Sequence, residues 1–433
     1  VNAQHPLVHL PGCKSLSQRA LLLAAVADGV SALRGVSSCE DSVHLQAALT
    51  ALGAQFEGGA GAETAPSRAM NALRVSGLGG PPRGEAQLDV GEAGSSLRFL
   101  LPLCAAGQGR FTLTGTPRLM ERPHGPLVDG LRELGARIEA FSHPTRPGFV
   151  VESDGLPGGD WPVPSAISSQ FLSGLAMAAS WSGAVRMALP AELPSRGYFD
   201  LTLGALRHFC GPQAWSEQAL LEGGSLLQLS GHAPQAQAYT VPGDPSGASF
   251  FLVALVLTGK QASIEPDWSP QHPESRLLVE LLEAGLLERV GTRWLATGHQ
   301  PARTLTLNID PAPDAGPALA VLGAHLEQGL RLQGIARLRA KESDRVQGVQ
   351  RLAALAGRQA RLQGEQLIIE GGGIDASAAA ASQPFDPDQD HRMAMAAGLV
   401  QLGSPAVKVL SPECVAKSFP DYWLELAKLS EAR

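Results

Sequence analysis

Lysine is scarce in this chain: six of 433 residues, among 34 basic ones, so a motif built around a lysine stands out. PGCKSLSQRALLLAA (11–25) sets Lys14, Ser15 and Arg19 at an expected helix start, where free backbone N–H groups and the helix dipole favour an anion. It is not a P-loop. That pattern needs glycine directly before the lysine and again five residues earlier, and Cys13 and Val8 stand there. GEAGSSLRFLLPL (91–103) repeats the logic, with Gly91 and Gly94 allowing close backbone approach, Ser95 and Ser96 as donors, and Arg98 in the first turns. RLMERPHGPLV (118–128) brings Arg122 beside another helix start, and SAISSQFL (165–172) offers Ser168, Ser169 and Gln170, of which a plain N-cap explains only one. In the second half, Asp314 stands just before an apolar helix, where N-capping is its ordinary role. ARLRAKESDRVQGV (336–349) gathers Lys341, Glu342, Asp344 and Arg345 at a helix start, where a solvated charge cluster is the ordinary reading. DHRMAMAAGLV (390–400) adds His391 and Arg392, and CVAKSFPDYW (414–423) adds Lys417.

The elements that must carry these groups repeat. A helical pattern ending in glycine recurs at Gly53, Gly135, Gly211, Gly285 and Gly357, at intervals of 82, 76, 74 and 72 residues. In the first, Leu45, Ala48, Leu49 and Leu52 share one helical face, and Gly53 can take the left-handed conformation that ends a helix. Short apolar segments such as ARIEAF and LLQLS follow some of the helices. Each unit therefore reads as an α/β element of roughly 70 to 75 residues, with room for about six.

Composition bounds the class. With 44% hydrophobic and 17% charged residues the chain can bury real cores, and its length predicts two or three domains. A net charge of −7 argues against a nucleic-acid or anionic-membrane partner while leaving room for a local basic cleft. No apolar run approaches the roughly 18 to 20 residues of a membrane span. ALLLAAVA (20–27), which follows Lys14 and Arg19 as the apolar part of a secretory leader would, reads better as a helix entering a core, because a Pro-Gly turn and a polar Ser/Gln stretch precede it. Five widely spaced cysteines with no C-x-x-C pair indicate neither a disulfide framework nor a zinc site and fit a cytoplasmic location.

Nine ordered segments together resemble the enolpyruvyl transferases, and within them the branch acting on shikimate 3-phosphate: PGCKSLSQRALLLAA, GEAGSSLRF, ERPHGPLVDGLRELGA, ISSQFL, GDPSGASFFL, PDAGPALAVL, AKESDR, DHRMAMA and CVAKSFPDY. They span almost the whole chain. The resemblance implies a two-domain inside-out α/β barrel of six βαβαββ repeats, three per domain. Residues 1–12 and 241–433 would form the terminal domain and 13–240 an inserted one, hinged near 12–13 and 240–242 and closing around the ligands. It implies transfer of the carboxyvinyl group of phosphoenolpyruvate to the 5-hydroxyl of shikimate 3-phosphate by addition and elimination, with phosphate released, no metal or organic cofactor, and a monomer. By resemblance, Lys14, Ser15, Arg19, Ser168, Ser169, Gln170, Ser195, Tyr198, Asp314 and Lys341 hold shikimate 3-phosphate. Lys14, Gly94, Arg122, Gln170, Arg345, Arg392 and Lys417 hold phosphoenolpyruvate. The chemistry needs a base and an acid, for which Asp314 and Glu342 fit, with Lys14 beside them; Glu342 would have to stay protonated against the pull of Lys341 and Arg345.

Some positions depart from that family's pattern. Glu92 stands where an asparagine is usual, and a carboxylate cannot donate to an anion. Arg337 replaces a glutamate or asparagine, so the two are expected to compensate each other across the closed cleft. Cys13, Ser95, Phe99 and Gly247 replace serine, threonine, proline and serine. Two other readings stay open: a sister enzyme acting on UDP-N-acetylglucosamine, disfavoured because no cysteine lies between Cys104 and Cys210, and a relative that binds an anionic metabolite without turning it over.

Overall fold

The structure, a computed structural model, describes residues 5–58, 72–164, 168–221, 223–381 and 384–431. Two compact units emerge: a terminal unit, Val1–Cys13 with Pro242–Arg433, and an inserted unit, Lys14–Val241. Each has its own apolar core.

Six helices are buried nearly all round. Lys14–Val26, Gly94–Ala105 and Ser169–Ala178 lie in the inserted unit, and Pro245–Thr258, Gly316–His325 and His391–Gly403 in the terminal one. Their sequences dictate this: leucine, alanine, valine and phenylalanine occupy every face, so no face is content in water. Residues 20–26 belong to the first of them, and the whole segment 20–27 is buried in the core. Other helices are two-faced. Glu40–Ala51 buries Leu45, Ala48 and Leu49 as its spacing predicts, and Gly125–Glu133 buries Leu127, Val128 and Leu131. The five recurring glycines end their helices at φ of 108°, 102°, 91°, 71° and 72° in order, a region closed to most other residues.

Sheets lie outside these helices. Arg83–Asp89 runs parallel to Gln108–Thr114, Gly148–Asp154 pairs antiparallel with the latter, and Arg137–Phe141 pairs antiparallel with Gly148–Asp154. ARIEAF and LLQLS are strands, as expected. Five four-stranded sheets among the described residues share this order. In two of them the leading strand comes from far along the chain: Ala238–Thr240 beside Val30–Arg34, and Leu7–His9 beside Gln261–Glu265. In 384–431 the parallel opening persists as a bridge between Phe385 and Val409 on either side of the His391–Gly403 helix.

The chain's two passages between units run side by side at their terminal-unit ends. Gly12 bridges Gly243 antiparallel, and Cys13 N–H donates to the Pro242 carbonyl at 2.8 Å. No helix among the described residues is long and apolar enough to cross a membrane.

Candidate functional site

Most of the motifs singled out in the sequence lie at helix N-termini, where backbone donors and the positive end of the dipole are available to an anion. In the inserted unit, Lys14 opens its helix and its Nζ lies 3.0 Å from Asp41 Oδ2 on the neighbouring Glu40–Ala51 helix. Five residues on, Arg19 points inward and is 3% exposed. Its nitrogens donate to the Ser15 carbonyl (2.7 Å), Thr202 Oγ1 (2.7 Å), the Tyr198 carbonyl (2.9 Å) and Ser173 Oγ (3.3 Å). The guanidinium also lies 5.1 Å above the Phe99 ring. Arg19 thus ties three helices together and fixes Ser15 and Tyr198. Ser195 precedes the Arg196–Cys210 helix in the left-handed region, φ 54°, and its carbonyl accepts from Tyr198 N–H at 2.9 Å.

Arg122 and Gly94 meet. A Cβ on Gly94 would lie 2.7 Å from Arg122 Nη1, so the absent side chain is what lets the guanidinium reach this helix end. Arg98, 5% exposed, donates to Gln170 Oε1 at 2.6 Å and the Pro123 carbonyl at 3.3 Å. It therefore links the Gly94, Arg122 and Ser168–Gln170 segments. Ser168 is the single N-cap, accepting from Gln170 N–H at 3.2 Å, with Ser169 buried next to it; residues 165–167 of that motif lie outside those described. His124 is a site neighbour that spacing does not reveal. Burial first, then the charges of Arg98 and Arg122, push its pKa down to about 4.

In the terminal unit the ordinary reading of Asp314 as an N-cap fails. It sits in a short 3-10 turn, Pro313–Ala315, and the following helix begins without a side-chain cap. Its carboxylate instead accepts from Lys341 Nζ at 3.0 Å and Arg345 Nη1 at 2.8 Å. Arg345 is 1% exposed and also donates to Glu342 Oε2 (3.0 Å) and, through two nitrogens, to both oxygens of Asp390 (2.8 and 3.1 Å). Asp390 is wholly buried, accepts from Ser343 Oγ at 2.9 Å and caps the His391–Gly403 helix through Arg392 N–H. The cluster is thus an internal network rather than solvated charges. Asp344 supplies the cap of the Arg345–Leu355 helix.

Charge follows from this geometry. Burial raises the pKa of Asp314, but Lys341, Arg345 and Arg392 together outweigh it and hold the carboxyl well below 3.8. Burial, joined by Arg345, lowers Lys341 against the opposing pull of Asp314 and Glu342. Arg345, despite burial, is raised by Asp390, Glu342 and Asp314. Glu342 accepts from a guanidinium, a bond that favours its ionised form, so an acid role requires Arg345 to find another partner. Arg392, 2% exposed, lies 5.7 Å over the Phe250 ring. Its Nε has no hydrogen-bond partner, and no ion pair to its guanidinium is present among the described residues. Lys417 ends a 3-10 turn and is 5% exposed.

The departures have local settings. Ser95 Oγ donates to Gln18 Oε1 at 2.6 Å. A Cβ on Gly247 would meet the Phe419 ring at 3.2 Å. Arg337 pairs with Asp310 at 3.2 Å inside its own unit.

A family profile described as EPSP synthase (3-phosphoshikimate 1-carboxyvinyltransferase) matches residues 2–426. The 3-phosphoshikimate 1-carboxyvinyltransferase of Sulfurovum sp. (strain NBC37-1) is 32% identical over 433 residues, covering 98% of this chain and 96% of that one. That of Aeromonas salmonicida (strain A449) is 33% identical over 441 residues, with the same coverage. A solved EPSP synthase structure from Acinetobacter baumannii, 23% identical, shares the fold with a TM-score of 0.75 over 99% of this chain and 96% of its own. With a profile and relatives that run nearly end to end, the chain belongs to the EPSP synthase family of enolpyruvyl-transferring enzymes in the shikimate pathway.

Proposed function

We propose that the residues described above carry this transfer in the following roles. Lys14, Ser15, Arg19, Ser168, Ser169, Gln170, Ser195 and Tyr198 of the inserted unit hold shikimate 3-phosphate, Arg19 also setting Ser15 and Tyr198, and with Asp314 and Lys341 of the terminal unit on the same substrate. Lys14, Gly94, Arg122 and Gln170, with Arg345, Arg392 and Lys417, hold phosphoenolpyruvate. Asp314 takes the 5-hydroxyl proton as that oxygen bonds to C2 of phosphoenolpyruvate, and Glu342 protonates C3. The C2–O bond to phosphate then breaks, phosphate leaves with the electron pair, and C3 returns a proton to restore the double bond.

Arg392 carries this reading. The charge of Asp314 lies near this buried guanidinium, but no direct ion pair meets it among the described residues, so an anion arriving from solvent supplies the close partner it lacks. The low proton affinity of Asp314 fits the same scheme: anionic substrates offset Lys341, Arg345 and Arg392 and raise it toward that of a working base. An anion that takes over Arg345 likewise releases Glu342 to accept a proton. The site would act in a monomer in a reducing cytoplasm, a compartment that five widely spaced cysteines with no C-x-x-C pair fit.

A phosphate-release assay tests this. Release should require both substrates. Arg392→Ala should raise KM for phosphoenolpyruvate by roughly a hundredfold, Asp314→Ala should lower kcat by about 10²–10⁴, and Glu92→Asn should retain or gain activity. Tight binding of both substrates with no release would instead mark a relative that binds without turnover.

A further inference from the structure

His124 is 3% exposed and N-caps the Gly125–Glu133 helix by position only, with no side-chain cap bond. Its Nε2 lies 2.9 Å from the Leu119 carbonyl, which can only accept, so Nε2 carries the hydrogen. With Arg98 and Arg122 nearby and water excluded, the ring is neutral at physiological pH, and Nδ1 is therefore a bare acceptor. That atom is buried and has no hydrogen-bond partner among the described residues. A buried acceptor left unmatched is disfavoured, and the groups that depress its proton affinity are both donors. Arg98 already has two bonds that fix it, to Gln170 and to the Pro123 carbonyl. Arg122 is two residues from His124 in the chain, and its guanidinium lies against Gly94. The Phe149 ring meets the imidazole edge-on at 6.0 Å and holds its plane.

We propose that His124 is a positioning residue: its bare Nδ1 accepts an N–H of Arg122 once an anion engages that guanidinium, and so fixes the face Arg122 presents at the start of the Gly94 helix. The inference rests on the reading of Arg122 as a phosphoenolpyruvate-binding residue. A neutral ring suits this task because a protonated one would add a third positive charge and remove the acceptor.

Steady-state kinetics of the full chain test it with three variants. His124→Phe keeps the aromatic packing against Phe149 and loses the acceptor; it should raise KM for phosphoenolpyruvate about tenfold, with kcat and KM for shikimate 3-phosphate within twofold of the parent. His124→Gln, which can donate to Leu119 and still offer an oxygen, should recover most of that loss. Arg122→Lys should raise the same KM, and adding His124→Phe to it should change nothing further. In nitrogen-15 spectra of histidine-labelled protein, the His124 Nδ1 signal should move toward a hydrogen-bonded value when shikimate 3-phosphate and inorganic phosphate are added. An unchanged KM in His124→Phe together with an impaired Arg122→Lys overturns this inference alone. An unaffected Arg122→Lys overturns the reading of Arg122 on which it stands. Failure of His124→Gln to recover, with equal loss of thermal stability in both His124 variants, assigns the residue to packing only and also overturns it.

Discussion

Asp314 and Asp390 touch the same guanidinium but contribute differently to stability. Because Asp314 titrates below an unfolded carboxylate, the folded chain gains stability at pH values above about 4, and loses it as pH falls through the lower folded pKa. Asp314→Asn is expected to lower stability at pH 7 by about 1–2 kcal/mol, with the gap closing in acid. Asp390→Asn should cost about 3–5 kcal/mol at pH 7, since it strips the fully buried Arg345 of its two-point partner. Urea unfolding at pH 7 and at about pH 2.5 measures both; an Asp390→Asn loss no larger than that of Asp314→Asn would contradict the ranking. Sequence showed which residues carry charge, but little of how they pair. Lys14 finds Asp41 27 positions away, Arg345 finds Asp390 45 away, and Arg98 finds Gln170 72 away. Asp314 misled for the same reason: the capping signal is local, whereas Lys341 and Arg345 claim the carboxylate through the fold.

The buried helices were the most legible elements, since a run that is apolar on every side has few other places to go, and the glycines that end the two-faced helices follow from φ alone. A helix start is also where a cluster of charges is easiest to read. What such a run does not reveal is how closely another segment approaches it, and Gly94 is the case in point. Gly94→Ala should leave thermal stability equal or up to about 1 kcal/mol higher, because alanine favours the helix. The new methyl, 2.7 Å from Arg122 Nη1, should displace that flexible group and raise KM for phosphoenolpyruvate. Thermal melts and kinetics on one preparation separate the two effects. A lower melting temperature would mean that the backbone, rather than Arg122, had yielded.

At the scale of the whole chain, repetition was legible and its long-range closure was not. Leu7–His9 pairs with residues 261–265, and His9 N–H donates to the buried Glu425 carboxylate at 2.8 Å. The late strand Ala238–Thr240 of the inserted unit pairs with Val30–Arg34 of the same unit. Lys14–Val241 expressed alone is therefore expected to unfold cooperatively in urea, and the terminal segments joined after Gly12 and before Gly243, about 5 Å apart as a bridged pair, should do so through a short glycine linker. A fragment that melts without cooperativity would show that its core depends on the other. The borrowed first strand also sets an order of events on the ribosome. The inserted unit has its described strands by Thr240 and can fold as it emerges, whereas the leading segment must wait, unclaimed, until residues 261–265 have been made, and for its bond to Glu425 longer still.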